Sequence, residues 1–147
     1  MESHSWGKAS SAKLDNCHPD LRRIAVRALV LSPYDITIIH TFRGAEAQNA
    51  LFASHASTKK FPNSRHNKSN DPKIDNPQTL SDAIDFAPWI NGVIPWGDTH
   101  LFAVIAGSFF AAANDLDLTL RWGGDWNGNG STRDQKLMDW GHVEIMH

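Results

Sequence analysis

Residues 99–114, THLFAVIAGSFFAAAN, are apolar on nearly every side of a helical projection. A helix of that kind belongs in the middle of a fold, because a surface helix keeps one polar face. Its apolar run, Leu101 to Ala113, is broken by Gly107 and Ser108 and is far short of the about 20 residues that cross a membrane. The neighbouring segments supply what would pack on it. Residues 118–122 (LTLRW) and 142–146 (HVEIM) read as strands on one side, residues 36–41 (ITIIHT) and 83–86 (AIDF, stopped by Pro88) as strands on the other. Asn91-Gly92 is a turn signal, after which Val93-Ile94 is expected to pair back as a hairpin. In residues 19–31, Leu21, Ile24, Ala25, Ala28 and Leu29 recur at helical spacing, with Asp15 or Asn16 as the expected cap and Pro19 in the first turn. Residues 44–56 read as a further helix, and the polar, proline-containing residues 61–79 as a long loop. Helices and short strands alternate without regular strand–helix–strand spacing. The expected fold class is α+β: a small, mostly antiparallel sheet flanked by helices, in a single domain over residues 1–147.

Composition narrows the function classes. The chain has 147 residues, 41% hydrophobic and 20% charged, which is globular rather than disordered. A net charge of -2 argues against a protein that reads nucleic acid through phosphate contacts. A single cysteine, Cys17, excludes an intrachain disulfide and a multi-cysteine metal centre. Eight histidines and six tryptophans are many for this length, and histidine is a common metal ligand. The first residues, MESHSWGKASSAKLDN, have no basic start followed by an apolar core, so no secretory leader and no membrane partner are expected.

Three side chains stand out as metal ligands: His66 in the polar loop, Asp85 inside the apolar AIDF strand, and His142 at the start of the last strand. A carboxylate within a buried strand needs a partner, and a cation is one of the few good ones. Two imidazoles and one carboxylate leave one corner of a tetrahedral Zn²⁺ open, the layout of a catalytic centre. Spacing alone leaves a second reading open: a capped loop histidine, a salt-bridged Asp85 and a packed His142. Glu144 shares a face with His142 and is a candidate acceptor fixing that imidazole's tautomer, or a solvent-facing strand residue.

Ser64-Arg65-His66, then Ser81-Asp82-Ala83-Ile84-Asp85-Phe86-Ala87-Pro88, then Asp139-Trp140-Gly141-His142-Val143-Glu144 resemble the S-x-H…A-x-D…[DE]-x-x-H signature of the zinc D-Ala-D-Ala carboxypeptidase (VanY-like) peptidases. Within them the chain is most similar to phage endolysins of the L-alanyl-D-glutamate peptidase type. His18-Pro19-Asp20-Leu21, Ser32-Pro33-Tyr34-Asp35, Phe42-Arg43 and Gly123-Gly124-Asp125-Trp126 extend the likeness over nearly the whole chain. The resemblance implies a hedgehog/DD-peptidase-like fold and zinc held by His66, Asp85 and His142. It implies Asp139 as catalytic base and Arg43 as the group that holds substrate or steadies an oxyanion. Gln48 falls where the family often has glutamine, although a solvated helix face fits it as well. The implied activity is hydrolysis of the L-Ala–D-Glu bond of peptidoglycan stem peptides by a monomeric lysin. That lysin would be stored in the host cytoplasm and released to the wall through a holin. A D-Ala-D-Ala carboxypeptidase and a non-catalytic zinc-containing binding module are the alternatives.

The pattern departs from that family in one place. His66 and Asp85 are 19 positions apart, against about seven in relatives, so residues 67–78 look inserted and are expected to act as a lid or specificity loop, or as a passive excursion. No separate wall-binding domain is expected. A further candidate lies at Asp125, Asn127, Asn129, Ser131 and Asp134, which matches the opening of a calcium loop. Lys136 stands where such loops carry their closing glutamate, leaving Asp134 as the substitute, and an Asn/Gly-rich turn is the alternative. Trp122, Trp126 and Trp140 are expected to line a groove or pack the core, His40 is a candidate to face the site, and His4, His55, His100 and His147 are expected in solvent.

Overall fold

A computed structural model describes residues 4–136 and 138–147. Among them the chain forms helices α1 (Lys8–Leu14), α2 (Pro19–Leu31), α3 (Ala45–Ala53) and α4 (Thr99–Asp115), and strands β1 (Ile36–His40), β2 (Ala83–Pro88), β3 (Thr119–Trp122) and β4 (His142–Met146). The strands form one sheet in the order β1-β2-β4-β3, antiparallel at every step. The expected α+β class with a small antiparallel sheet is what the chain adopts.

The alternation of side chains divides the sheet into two faces. Ile36 and Ile38 of β1, Ile84 and Phe86 of β2, Leu120 and Trp122 of β3, and Val143 and Ile145 of β4 are all buried in one cluster with α2 and α4. At the centre of that cluster Phe86 stacks on Phe109 of α4 at 5.0 Å between ring centroids. The opposite face carries Asp85, His142, Glu144 and Arg121. An antiparallel sheet can bury one face and reserve the other for polar chemistry, and this one does.

Two local readings differ from expectation. The cap of α2 is His18, whose Nδ1 accepts the Asp20 amide at 3.0 Å, not Asp15 or Asn16. Beyond the Asn91-Gly92 turn, Val93 makes only an isolated bridge with Ile90 rather than a hairpin. Helix α1 has no counterpart in the sequence reading, because KASSAKL offers one large apolar residue. It is held instead by polar contacts to the edge strand: Ser10 Oγ accepts the Ile38 amide at 3.0 Å, and Lys13 Nζ donates to the Ile38 carbonyl at 3.2 Å. These bonds occupy backbone groups that an edge strand would otherwise leave open to pairing with another chain.

Cys17 joins this packing between α1 and α2. It is 2% exposed, its Sγ donates to the Leu14 carbonyl, and burial pushes the thiol up to about 12. The thiolate is the reactive form, so the folded chain should be inert to a disulfide reagent at mildly alkaline pH and take up one equivalent once unfolded in guanidinium. Rapid labelling of the folded chain would contradict this packing.

Candidate metal centre

The register of the sheet assembles the site. Asp85 of β2 pairs directly with His142 of β4, and a bulge in β1 between Ile38 and His40 sets His40 opposite Asp85. Directly opposed residues on one face of an antiparallel pair bring their side chains into contact. His66 comes from outside the sheet. Its carbonyl accepts the Arg43 amide at 2.8 Å, and Ser64 Oγ accepts the His66 amide at 3.2 Å. Next to it, the Asp82 amide donates to the Arg65 carbonyl at 2.9 Å. The loop histidine is thereby fixed against the start of β2 and the end of β1.

His66 Nε2 lies 3.2 Å and His142 Nδ1 3.0 Å from the same oxygen, Asp85 Oδ1. The outer nitrogens decide what those contacts are. His66 Nδ1 donates to the Thr41 carbonyl at 2.7 Å, and His142 Nε2 donates to Glu144 Oε1 at 2.9 Å. Each outer nitrogen therefore carries a proton, and in the neutral rings each inner nitrogen presents a lone pair to a carboxylate oxygen. Three lone-pair donors converging on one point are stable only around positive charge, as a proton or a cation. The electrostatics agree. Burial pulls Asp85 upward, but His66 and hydrogen bonds from His142, His40 and His66 outweigh it and hold the carboxyl well below the usual range. For His142, burial opposes protonation, yet its bonds to Asp85 and Glu144 raise it to about 9. This donor set, one oxygen and two tautomer-fixed imidazole nitrogens, fits a divalent ion such as zinc.

The surrounding residues fall into place around this group. Glu144 is buried and is held by Arg121 at 2.9 Å and Arg65 at 3.3 Å as well as by His142. Arg43 donates through Nη1 to Gln48 Oε1 at 2.9 Å and through Nη2 to Asp85 Oδ2 at 3.4 Å, while its buried Nε has no partner. Gln48 is fully buried rather than solvated, and its Nε2 donates to the Lys59 carbonyl at 2.6 Å. His40 Nδ1 approaches Asp85 Oδ2 at 3.4 Å. Asp139 is half-exposed, with Oδ2 3.9 Å from His142 Nδ1, and burial together with the charge of Asp85 raises its pKa. Its backbone bonds to Gly123, which must lack a side chain: a Cβ there would stand 2.2 Å from the Asp139 carbonyl.

Beside Asp85 opens a cavity of about 320 Å³ lined by Ile39, Trp96, Phe102, Asp139 and Trp140, among others. No residue of 67–78 is among those lining it. Trp122 packs in the core and donates to the Trp140 carbonyl, Trp140 lines the cavity, and Trp126 lies against the His142 ring at 5.3 Å. His147, expected in solvent, faces Asp82 at 3.1 Å. In the glycine-rich loop, Gln135 Nε2 lies within 3.5 Å of Asp125 Oδ1, Asn127 Oδ1, the Ser131 carbonyl and Asp134 Oδ1. Asn129 sits in the same loop and bonds to Asp134.

Comparison with known proteins gives a consistent picture. The family described as phage L-alanyl-D-glutamate peptidase matches residues 2–146. The L-alanyl-D-glutamate peptidase of Escherichia phage T5 is 37% identical over 148 residues, spanning 98% of this chain and 99% of that protein. The crystal structure of the L-Ala D-Glu endopeptidase ChiX of Serratia marcescens superposes with a TM-score of 0.77 at 23% identity, over 99% of this chain and 92% of that one, a likeness of fold.

Glu144 gives the site its test of construction. Replacing it by Ala leaves two arginines and the outer His142 nitrogen without their acceptor, so Glu144→Ala should destabilise the chain by about 3–5 kcal/mol in urea unfolding, and Glu144→Gln by less. Equal stability of Glu144→Ala and the parent chain would remove Glu144 from this role.

Proposed function

The chain belongs to the phage L-alanyl-D-glutamate peptidase family, and from that premise we propose that it is a zinc-dependent endolysin. Its substrate is the L-Ala–D-Glu bond of peptidoglycan stem peptides. The observation that carries the metal assignment is the convergence of two imidazole nitrogens on Asp85 Oδ1, with each outer nitrogen anchored by an oxygen acceptor.

His66 Nε2, Asp85 Oδ1 and His142 Nδ1 would hold the ion, which when bound would polarise the scissile carbonyl and acidify water. Asp139 stands at the edge of this group and at the cavity wall, where a substrate amide would lie. Its raised pKa makes its carboxylate a stronger proton acceptor, so Asp139 takes the proton of the attacking water and returns it to the leaving amine of D-Glu. Arg43, braced by Gln48 and Asp85, offers a fixed guanidinium to an oxyanion or a substrate carboxylate at the rim. Glu144 and the Thr41 carbonyl keep the imidazole tautomers that leave the inner lone pairs free.

The loop at Asp125, Asn127, Asn129, Ser131 and Asp134 binds calcium in this reading. An amide nitrogen has two hydrogens, yet Gln135 Nε2 is surrounded by four oxygens, a cage better matched to a hard cation. Among the described residues no helix is long and apolar enough to cross a membrane, which accords with a lysin held in the host cytoplasm until a holin opens the way to the wall.

Mass spectrometry of digested murein should find new carboxyl ends on L-Ala and new amino ends on D-Glu; release of D-Ala instead would overturn the bond assignment. Asp139→Asn should keep its metal and lose about 10²–10⁴-fold in turnover. Undiminished turnover with full metal content would exclude Asp139 as the base. Calorimetry should show one calcium ion bound, abolished by Asp125→Ala; no heat in the parent chain would dismiss the loop site.

A further inference from the structure

A second histidine–carboxylate group lies away from the first, where three distant segments meet. His18 caps α2, Asp71 belongs to residues 67–78, and His147 follows β4. One donor atom from each lies within 4.8 Å of the others. His18 Nε2 is 2.8 Å and His147 Nδ1 3.8 Å from Asp71 Oδ2, and the two rings stand 5.0 Å apart. Behind them, Asp82 is fully buried. Its Oδ2 lies 3.1 Å from His147 Nε2 and accepts from the Asn70 amide at 2.7 Å, and its Oδ1 has no hydrogen-bond partner. The only other charge near Asp82 among the described residues is Arg65, 4.0 Å away and shared with Glu144.

We propose that His18 Nε2, Asp71 Oδ2 and His147 Nδ1 form a second site for a divalent transition ion, one that fastens residues 67–78 to the start of α2 and the end of the chain. The evidence is the repeated layout. The His147 ring stands between two carboxylates, its Nε2 3.1 Å from buried Asp82 and its Nδ1 3.8 Å from Asp71, as the His142 ring stands between Glu144 and Asp85. A carboxylate behind a histidine fixes the tautomer that binds metal. Two nitrogens and one carboxylate oxygen suit zinc, cobalt or nickel rather than calcium. One of the two carboxylates, Asp82, also has a buried oxygen lacking a hydrogen bond.

His18 sets the cost. Its Nδ1 accepts the Asp20 amide, so its proton sits on Nε2 and points at Asp71. Their 2.8 Å separation is that of a hydrogen bond, shorter than the about 3.3 Å between neighbouring ligands of a tetrahedral zinc. Metal uptake displaces that proton and leaves the neutral ring protonated at Nδ1, where it no longer accepts from Asp20. One helix-cap hydrogen bond is exchanged for coordination by three donors. The Asp20 amide thus becomes a reporter of occupancy, and nothing in the catalytic group shares it.

The test uses the untagged chain, stripped of metal and titrated with Zn²⁺ in excess calcium, with bound ions counted by plasma mass spectrometry and the Asp20 amide followed by NMR. The parent chain should bind two zinc ions, with the Asp20 resonance shifting on one of them. Asp71→Ala and His147→Gln should bind one, with the Asp20 resonance unmoved. His147 lies beyond the last strand, so its replacement leaves the core untouched. Asp82→Asn should weaken the ion that moves Asp20 by about 10–100-fold. His142→Ala should lose the other ion and keep the Asp20 shift, which separates failure of this site from failure of the catalytic one. A count of one in the parent chain with Asp20 unmoved, a count of two in His147→Gln, or two ions with no Asp20 shift would each overturn the proposal.

Discussion

Asp85 is a carboxylate set into the central strand pair of a four-stranded sheet, and much of the polar architecture follows from keeping it ionised there. Its own strand cannot help, since Ile84 and Phe86 point into the core. Compensation comes from four other places: His142 across the β2–β4 ladder, His40 across the bulged β1–β2 ladder, His66 from the loop, and Arg43 just after β1. An unpaired buried charge is costly enough to neutralise itself, so this ring of partners is a condition of the fold before it is a device for catalysis. The same ring leaves lone pairs pointed at one oxygen, and that is where structure passes into function.

The next layer repeats the logic one step outward. Glu144 lies two residues from His142 on the same face and is itself nearly sealed from solvent. Burial works to raise its pKa, but His142 and Arg121 hold it low, so it stays an acceptor for the imidazole. Asp82 lies next to His147 in a similar way, 3.1 Å from its Nε2. Alternating strand geometry makes such stacking easy: positions two apart share a face, so one face of β4 becomes a relay of charge while the other packs on α4.

Legibility in the sequence followed from how local each feature is. The helices at 19–31 and 99–115 and the strand at 142–146 announce themselves by apolar spacing, and their faces were readable from it. Asp85 was conspicuous because an acid inside AIDF has no innocent place to go. His66 stood beside Asp85 and His142 as a candidate ligand that spacing alone could not decide, since a histidine in a polar loop carries no periodic signal, and Asp139 came only through the family signature. Helix α1 was invisible because Ser10 and Lys13 fasten it through hydrogen bonds to Ile38, and such bonds leave no hydrophobic pattern. Gln48 was ambiguous for the same reason: its burial depends on hydrogen bonds with Arg43, Lys59 and Asn67, which leave no hydrophobic pattern. The grouping of His18, Asp71 and His147 depends on a register between chain ends that no spacing encodes.

The length of the segment between His66 and Asp85 poses a final physical question, because the two must meet at one point. Closure entropy grows only with the logarithm of loop length, so about twelve extra residues cost roughly 1 kcal/mol. The larger risk is a floppy segment pulling on His66. The structure answers it at the start of the excess. Asn67, directly after the histidine, is fully buried and donates to the Arg43 carbonyl at 2.9 Å, while Asn70 and Asp71 are tied to Asp82 and His18 at 2.7 and 2.8 Å. The Ser69 amide also donates to the Pro77 carbonyl at 2.9 Å, which closes the excursion on itself beside the imidazole. The long connection is pinned at Asp82, three residues before Asp85, so Asp85 and the loop histidine meet in a geometry already fixed on either side of them.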